Sequence, residues 1–321
     1  MPHDWNLDQV PDLSGRVMIV TGANSGVGYE AALALAKRKA DVVLACRNQD
    51  KARAAADRIR KEAPTARLEL IPLDLSDLSS VQAFADSFRE GRSQLNALIF
   101  REGRSQLNAL INNAGVMALP KRTTSDGFEM QFGTNHLGHF ALTGHLLDLL
   151  LATPGSRVVN VSSIAHKFGK MRFHDLQWER SYSKWGAYGQ SKLANLLFTH
   201  ELDRKLKDAG NDTISVACHP GWAATNLQEA GPRMDGSKLM ERLSAWGNAM
   251  LAQDAAAGAL PTVFAAVEPL HGNEYVGPTR LMGWHGPPEI IEPLNKARDP
   301  EAAERLWDES ERLTGVRYAF G

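Results

Sequence analysis

A glycine-rich turn near the start of the chain does most to limit what it can fold into. The apolar run Val17–Val20 ends in Thr21. Then come Gly22, Ala23, Asn24, Ser25, Gly26, Val27 and Gly28, followed by the Ala/Leu-rich helical pattern YEAALALAKRK. The order reads as strand, turn, helix. Glycines let the backbone bend tightly and approach a pyrophosphate closely. The new helix then points its free N–H groups and positive dipole end at the anion. Between a strand and a helix, the G-x-x-x-G-x-G spacing says more than a glycine-rich turn alone, which would otherwise be only a turn.

Asp41–Ala45 is the expected second strand. In a dinucleotide-binding unit its end meets the adenosine ribose, where an acid would bind the 2′-hydroxyl and repel a 2′-phosphate. Here Cys46 holds that slot, with Arg47 and Asn48 next. A guanidinium is a planar, permanently charged donor set suited to phosphate. The slot therefore predicts NADP(H) over NAD(H); the alternative is that Arg47 only starts the charged helix NQDKARAAADRIRKEA. Leu68–Leu73 is the third strand. Asp74, followed by Leu75, can accept from an adenine amino group or cap the next helix, and the two roles are compatible.

An internal repeat follows. FREGRSQLNALI at Phe88–Ile99 recurs unchanged at Phe100–Ile111. Solenoid repeats are longer and diverge, so this is a tandem duplication with no function of its own. Only the second copy runs directly into Asn112, Asn113, Ala114 and Gly115. That makes Leu107–Ile111 the fourth strand, and its small and amide residues can admit a flat ring at the strand end.

Asp126–Leu151 reads as one long helix. Asn135 sits in it among Phe132, Leu137 and Phe140, as a structural clamp or a site residue, because a buried amide must be hydrogen-bonded. Arg157–Val161 is the fifth strand and ends in Ser162 and Ser163. Ile164–Trp185 lacks a period and reads as a loop. Tyr188 and Lys192, four apart in AYGQSKLANLLF, fall on one face of the next helix, which runs to about Lys207. A phenol has a reference pKa of about 10, and a nearby cation favours the phenolate. So placed, a Tyr can work as a general acid or base. The bland reading is a solvated Lys beside an interfacial Tyr.

Thr213–Cys218 is the sixth strand. Pro220 and Gly221 force a turn after it, with Trp222 and Thr225 following. Residues 222–251 suggest a substrate lid. Ala255–Val267 is a helix, Tyr275–Val276 a short seventh strand, and the tail an amphipathic helix with Leu306, Trp307 and Leu313 inward. Strands and helices alternate without a linker. This predicts a single α/β domain over 1–321, a doubly wound, Rossmann-like parallel sheet. Ligands of such sheets lie at the carboxyl ends of the strands, where the glycine turn, Arg47, Asp74, Asn113, Ser163 and Gly221 all fall.

Composition adds exclusions. With 321 residues and a net charge of −1, nothing draws the chain to nucleic acid or acidic membrane. Cys46 and Cys218 fit a reducing compartment. The start of the chain lacks an apolar leader and no run is long enough to span a bilayer, so a cytoplasmic protein without a membrane anchor is expected. His136, His139 and His145 lack partners for a metal site. His200-Glu201 fails the zinc-protease pattern because position 204 is Arg. Trp178, Trp185, Trp222 and Trp246 flank the expected substrate mouth, as pocket or as packing.

Taken together, TGANSGVG, NNAG, Asn135, Ser162–Ser163, Tyr188-x-x-x-Lys192 and the HPG turn resemble the short-chain dehydrogenase/reductase family. ACRN, TNHLGHF, VSSIAH, YGQSKLANLLF and LWDESERLTGVRY resemble its retinol-dehydrogenase-like branch. The resemblance implies Tyr188 as proton donor or base, and Lys192 as the group that lowers its pKa and holds the nicotinamide ribose. It implies Ser163 as the residue orienting the substrate oxygen, and Asn135 as holder of a relay water. NADP(H) would be lined by Gly22, Asn24, Ser25, Gly26, Val27, Gly28, Arg47, Asn48, Asp74, Leu75, Asn113, Ala114, Gly115, Tyr188, Lys192, Pro220, Gly221, Trp222 and Thr225. The substrate would be a small lipophilic carbonyl or alcohol, and pairing into a homo-oligomer through the long central helices is a family habit. The competing readings are a non-catalytic NADP(H) sensor or scaffold, and a variant inactivated by the duplication.

Overall fold

The computed structural model describes residues 4–91, 105–221 and 254–321. Eight strands form one sheet in the order β3-β2-β1-β4-β5-β6-β7-β8. They are β1 (Val17–Thr21), β2 (Asp41–Cys46), β3 (Arg67–Pro72), β4 (Ala109–Asn112), β5 (Arg157–Val161), β6 (Ile214–Cys218), β7 (Tyr275–Arg280) and β8 (His285–Ile291). The first seven are parallel; β8 alone runs antiparallel, against β7. Strands β1 and β2 are buried along their whole length, as parallel strands covered on both faces must be.

One face is covered by α1 (Gly26–Lys37), α2 (Gln49–Glu62) and α7 (Ala255–Val267); their Ala, Leu and Val side chains pack with alternate residues of the sheet. The other carries α3 (Leu78–Arg89), α4 (Gly138–His145), α5 (Leu147–Leu151), α6 (Lys184–Asp208) and α8 (Pro300–Thr314). Helix α8 starts on the Asp299 cap with Pro300 in its first turn and stops at Gly315, whose φ is +71°. It lays Trp307 against Phe140 of α4 and Phe198 of α6, with ring centres 5.2 and 5.9 Å away. Burying each such ring contributes about 2–3 kcal/mol, so the tail helix locks α6 onto the sheet.

Several expectations are corrected. The helix expected from Asp126 starts at Met130, capped by the Glu129 carboxylate, which accepts from the backbone N–H groups of Gln131 and Phe132. Thr124 to Phe128 form a tight turn instead, with Thr124 N donating to Phe128 O at 2.8 Å. The run then widens into a π-turn at Gly133–Leu137 and breaks at Leu146 between α4 and α5. The seventh strand is longer than expected and β8 was missed. Pro278, Pro287 and Pro288 argue against a strand, but β8 is an edge where prolines are tolerated, and a register shift follows Pro278. Asp74 does not cap α3; Asp77 does, accepting from Ser79 N at 2.9 Å.

The second copy of the repeat does supply β4. Leu107 is buried, Asn108 Oδ1 accepts from Val17 N at 2.8 Å, and Ile111 aligns with Val20. Phe88 of the first copy closes α3, stacked on Phe84. Residues 92–99 of the first copy, 100–104 of the second and the lid at 222–251 lie outside the described residues.

Candidate active site

The sheet order reverses between β1 and β4, and the glycine turn and Asn113 flank that switch point. Gly22 has φ +68°, a backbone that favours glycine. Gly28 is forced by proximity: a Cβ there would lie 2.4 Å from Asn113 Nδ2 and 2.6 Å from Gly22 O. Ser25 stands at the N-cap of α1 and its side chain makes no cap bond, so the first N–H groups stay available to an anion. Cys46 braces the turn from below. Burial pushes its thiol up to about 12, and backbone hydrogen bonds from Ala23 and Asn24 oppose that rise. This cradle fits a dinucleotide's pyrophosphate.

The root of the cradle is Thr21, a residue that motif reading passed over. Its Oγ1 accepts from the N–H groups of Asn113 and Ala114, both at 2.9 Å. Asn113 Nδ2 returns to Thr21 O at 2.8 Å. On the far side, Thr21 Oγ1 meets His139 Nε2 at 3.0 Å, and His139 Nδ1 meets Asn135 O at 3.0 Å. A carbonyl only accepts, so Nδ1 donates and Nε2 receives the Thr21 hydroxyl. Burial lowers His139 to about 4 and keeps it neutral. His139 is thus buried, and it ties the glycine turn to Asn135. No cluster able to hold a metal occurs among the described residues.

Asn135 is a clamp with both amide hydrogens engaged. Its Oδ1 accepts from Val116 N at 2.7 Å, and its Nδ2 donates to Val116 O and to Ser191 Oγ, each at 2.9 Å. The π-turn puts it there, a distortion common at functional sites. Asn112 braces the sheet beside it: Nδ2 donates to Asn160 Oδ1 at 2.9 Å and to Thr143 Oγ1 at 3.1 Å. Gly115 runs past Asn135 and Lys192, where a Cβ would sit 3.6 Å from Nζ.

Tyr188 and Lys192 share one face of α6, with Nζ 5.8 Å from the ring centre. Lys192 Nζ donates to Val161 O at 3.0 Å. Burial raises Tyr188 to about 12, and a hydrogen bond with Ser163 works against the rise. Burial lowers Lys192 to about 8. Ser162 points elsewhere, donating to Lys192 O at 2.8 Å. Of the two serines, Ser163 is the one whose side chain hydrogen-bonds Tyr188. Trp185, half-exposed, stands edge-on to Tyr188 at 6.2 Å. Trp178 is packing, buried against Tyr182 and under Arg172.

The outer residues are spread more widely. Arg47 is exposed and lies 3.7 Å from Asp74. Asn48 Oδ1 caps α2 through Lys51 N at 2.9 Å. Asp74 accepts from Ser76 N and Oγ. Val27 and Leu75 are buried; Leu75 O is pressed against α4, where a Cβ on Gly138 would fall 2.4 Å away. Pro220 and Gly221 end β6 with Gly221 N donating to His219 Nδ1 at 3.1 Å. Trp222, Thr225 and Trp246 lie outside the described residues.

A switch-point phosphate cradle beside a Ser–Tyr–Lys cluster defines a dinucleotide-linked oxidoreductase of the doubly wound α/β class. The family model for short chain dehydrogenases matches residues 16–235, and the chain belongs to that family. It is 41% identical to human retinol dehydrogenase 12 over 95% of this chain and 88% of that one. Human retinol dehydrogenase 13 is also 41% identical, over 95% and 86%. A crystal structure of an uncharacterised protein from Mycobacterium paratuberculosis superposes with a TM-score of 0.79, at 40% identity, covering 98% of this chain and 99% of that one. A short-chain dehydrogenase from Shigella flexneri complexed with NADP shares the fold at 21% identity and a TM-score of 0.58, over 81% and 94%. Family membership makes the chain an oxidoreductase of alcohols and carbonyls working with NAD(P)(H).

Proposed function

We propose that the chain is an NADP(H)-dependent oxidoreductase interconverting a lipophilic carbonyl and its primary or secondary alcohol, with Tyr188 as acid and base. The observation that carries this reading is the Tyr188 phenol held between Ser163 and Lys192 at the carboxyl end of the sheet. The cofactor, when bound, supplies the hydride to the carbonyl carbon or takes it from the carbinol carbon. Ser163 holds the substrate oxygen. In reduction Tyr188 gives that oxygen its proton; in oxidation it takes the proton back. Lys192, charged below about pH 8, stabilises the phenolate that reduction leaves. Asn135 keeps α6 in place through Ser191 and orders the strand end through Val116.

The 2′-phosphate preference rests on Arg47, exposed at the end of β2 with no acid in the ribose slot. A lipophilic substrate is supported by Trp185 beside Tyr188 and by relatives named retinol dehydrogenases. No described helix is long and apolar enough to cross a membrane. Both thiols are buried and free, which fits the cytoplasmic setting we propose. Calorimetric titration with NADPH and with NADH tests the reading. Tight NADPH and weak NADH are expected, followed by turnover of apolar aldehydes. Binding without turnover would support a sensor, and no binding of either would point to damage by the duplication.

A further inference from the structure

Behind Ser162 and Ser163 lies a second layer of buried polar rings that the reaction scheme above does not use. His166, Tyr275 and His219 are each no more than 2% exposed. The His166 ring meets Tyr275 at 5.5 Å and 88°, and Tyr275 meets His219 at 5.2 Å. Tyr275 Oη lies 3.5 Å from His166 Nδ1 and also bonds Ser162, whose own hydroxyl donates to Lys192 O. His166 Nδ1 lies 2.7 Å from Ser163 O. The carbonyl can only accept, so Nδ1 carries the proton. His166 Nε2 is buried without a partner among the described residues, which suits the bare nitrogen of that tautomer. Burial lowers the pKa of His166 and favours this neutral form.

We infer that His166 is a positioning residue for the reaction: its Nδ1–H grips the Ser163 carbonyl and so fixes the Ser163 hydroxyl against Tyr188. The short turn Ile164–Lys167 explains the reach. Ser163 is its N-cap, with Oγ accepting from Ala165 N at 3.2 Å. Ser163 O therefore takes both His166 N–H groups, the backbone one at 3.0 Å. The end of the turn is pressed on α6 just past Tyr188, where a Cβ on Gly169 would fall 2.1 Å from Gly189 O. With the far end fixed, freeing the near end lets Ser163 rotate away from the phenol. The Tyr275–His219 pair walls in the imidazole and leaves it one orientation.

This inference rests on the proposed carbonyl reduction, and the test separates the two. His166→Phe keeps a ring and removes the donor. His166→Asn returns an N–H near the Nδ1 position. Relative to wild type, H166F should lower kcat about tenfold, the worth of one hydrogen bond. NADPH affinity should stay unchanged and H166N should recover most of the loss. Nitrogen NMR of the wild-type ring should show the neutral Nδ1-protonated tautomer. Equal kcat for H166F and H166N, or an Nε2-protonated ring, would overturn the inference while an active wild type left the function standing. A wild type that binds NADPH and reduces no carbonyl would overturn both. If H166F does not fold, His166→Gln takes its place: its amide reaches the Nε2 position, so it should show the same kcat loss, and wild-type kcat in H166Q would overturn the inference.

Discussion

The Lys192 ammonium stands 5.8 Å from the centre of the Tyr188 ring, one helical turn away, and both groups are buried. Burial moves them in opposite directions, the phenol up to about 12 and the amine down to about 8. Each charged form is costly alone, and each charge is the partner the other needs.

The lowered Lys192 value predicts a pH signature. Below about 8 the amine is charged both folded and unfolded, and its burial cost is present in full. Between about 8 and the ordinary 10.5 the unfolded chain holds more protons, so folding stability rises with pH. Against Lys192→Met, wild type should gain about 1 kcal/mol per pH unit across that window. Urea unfolding at pH 7.5, 8.5 and 9.5 measures it. Reduction by wild type should fall over the same range as the ammonium is lost.

His139 predicts the acid side. It is lowered from 6.5 to about 4 by burial, so it is neutral in both states above 6.5. Between 6.5 and 4 the unfolded chain takes the proton first, and stability falls as pH falls. His136 and His219, both lowered to about 3, add to the slope. His139→Gln should reduce that slope by about 1.4 kcal/mol per pH unit. It should also weaken dinucleotide binding, because Thr21 and Asn135 lose their bridge. Denaturation midpoints at pH 7, 6 and 5, with a parallel NADPH titration, check both.

Arg47→Ala should weaken NADPH binding by about tenfold or more, the worth of one or two charge-assisted hydrogen bonds, and leave NADH nearly unchanged. The Arg47–Asp74 pair is exposed on the Arg side and 3.7 Å long, so its loss should cost little stability. Parallel titrations with the two cofactors decide the matter; equal losses would remove Arg47 from phosphate recognition.

Much of this was legible in the chain, for physical reasons that differ by element. The glycine turn, β1, β5 and α7 are local: apolar runs, glycines and an Ala-rich period suffice. Tyr188, Lys192 and Ser163 came from spacing and family likeness. What stayed hidden was non-local or went against propensity. Thr21 and His139 matter because β1 and α4 meet across the sheet, 118 residues apart in sequence. The π-turn at Gly133–Leu137 and the prolines of β8 defy the periodicity used to find helices and strands. Asp77 outcompeted Asp74 as a cap because only it lies two residues before Ser79, within reach of that free N–H.

Because the two repeat copies are identical, deleting Phe88–Ile99 or Phe100–Ile111 gives the same chain. The deletion leaves the residues of α3 and β4 unchanged and shortens the chain between them by 12 residues. It should therefore keep the fold, leave cofactor binding in place, and raise stability by about 1 kcal/mol through a shorter connection. A thermal melt with and without NADPH tests this. Loss of folding would show that the spare segment is structural.

The most direct test of the account is the Tyr188→Phe enzyme, assayed for carbonyl reduction with NADPH and titrated with the same cofactor by calorimetry. Loss of turnover by at least about a hundredfold, the scale of general acid catalysis, is expected, with NADPH affinity close to wild type. Turnover near the wild-type rate would contradict the role given to Tyr188 and the mechanism built on it.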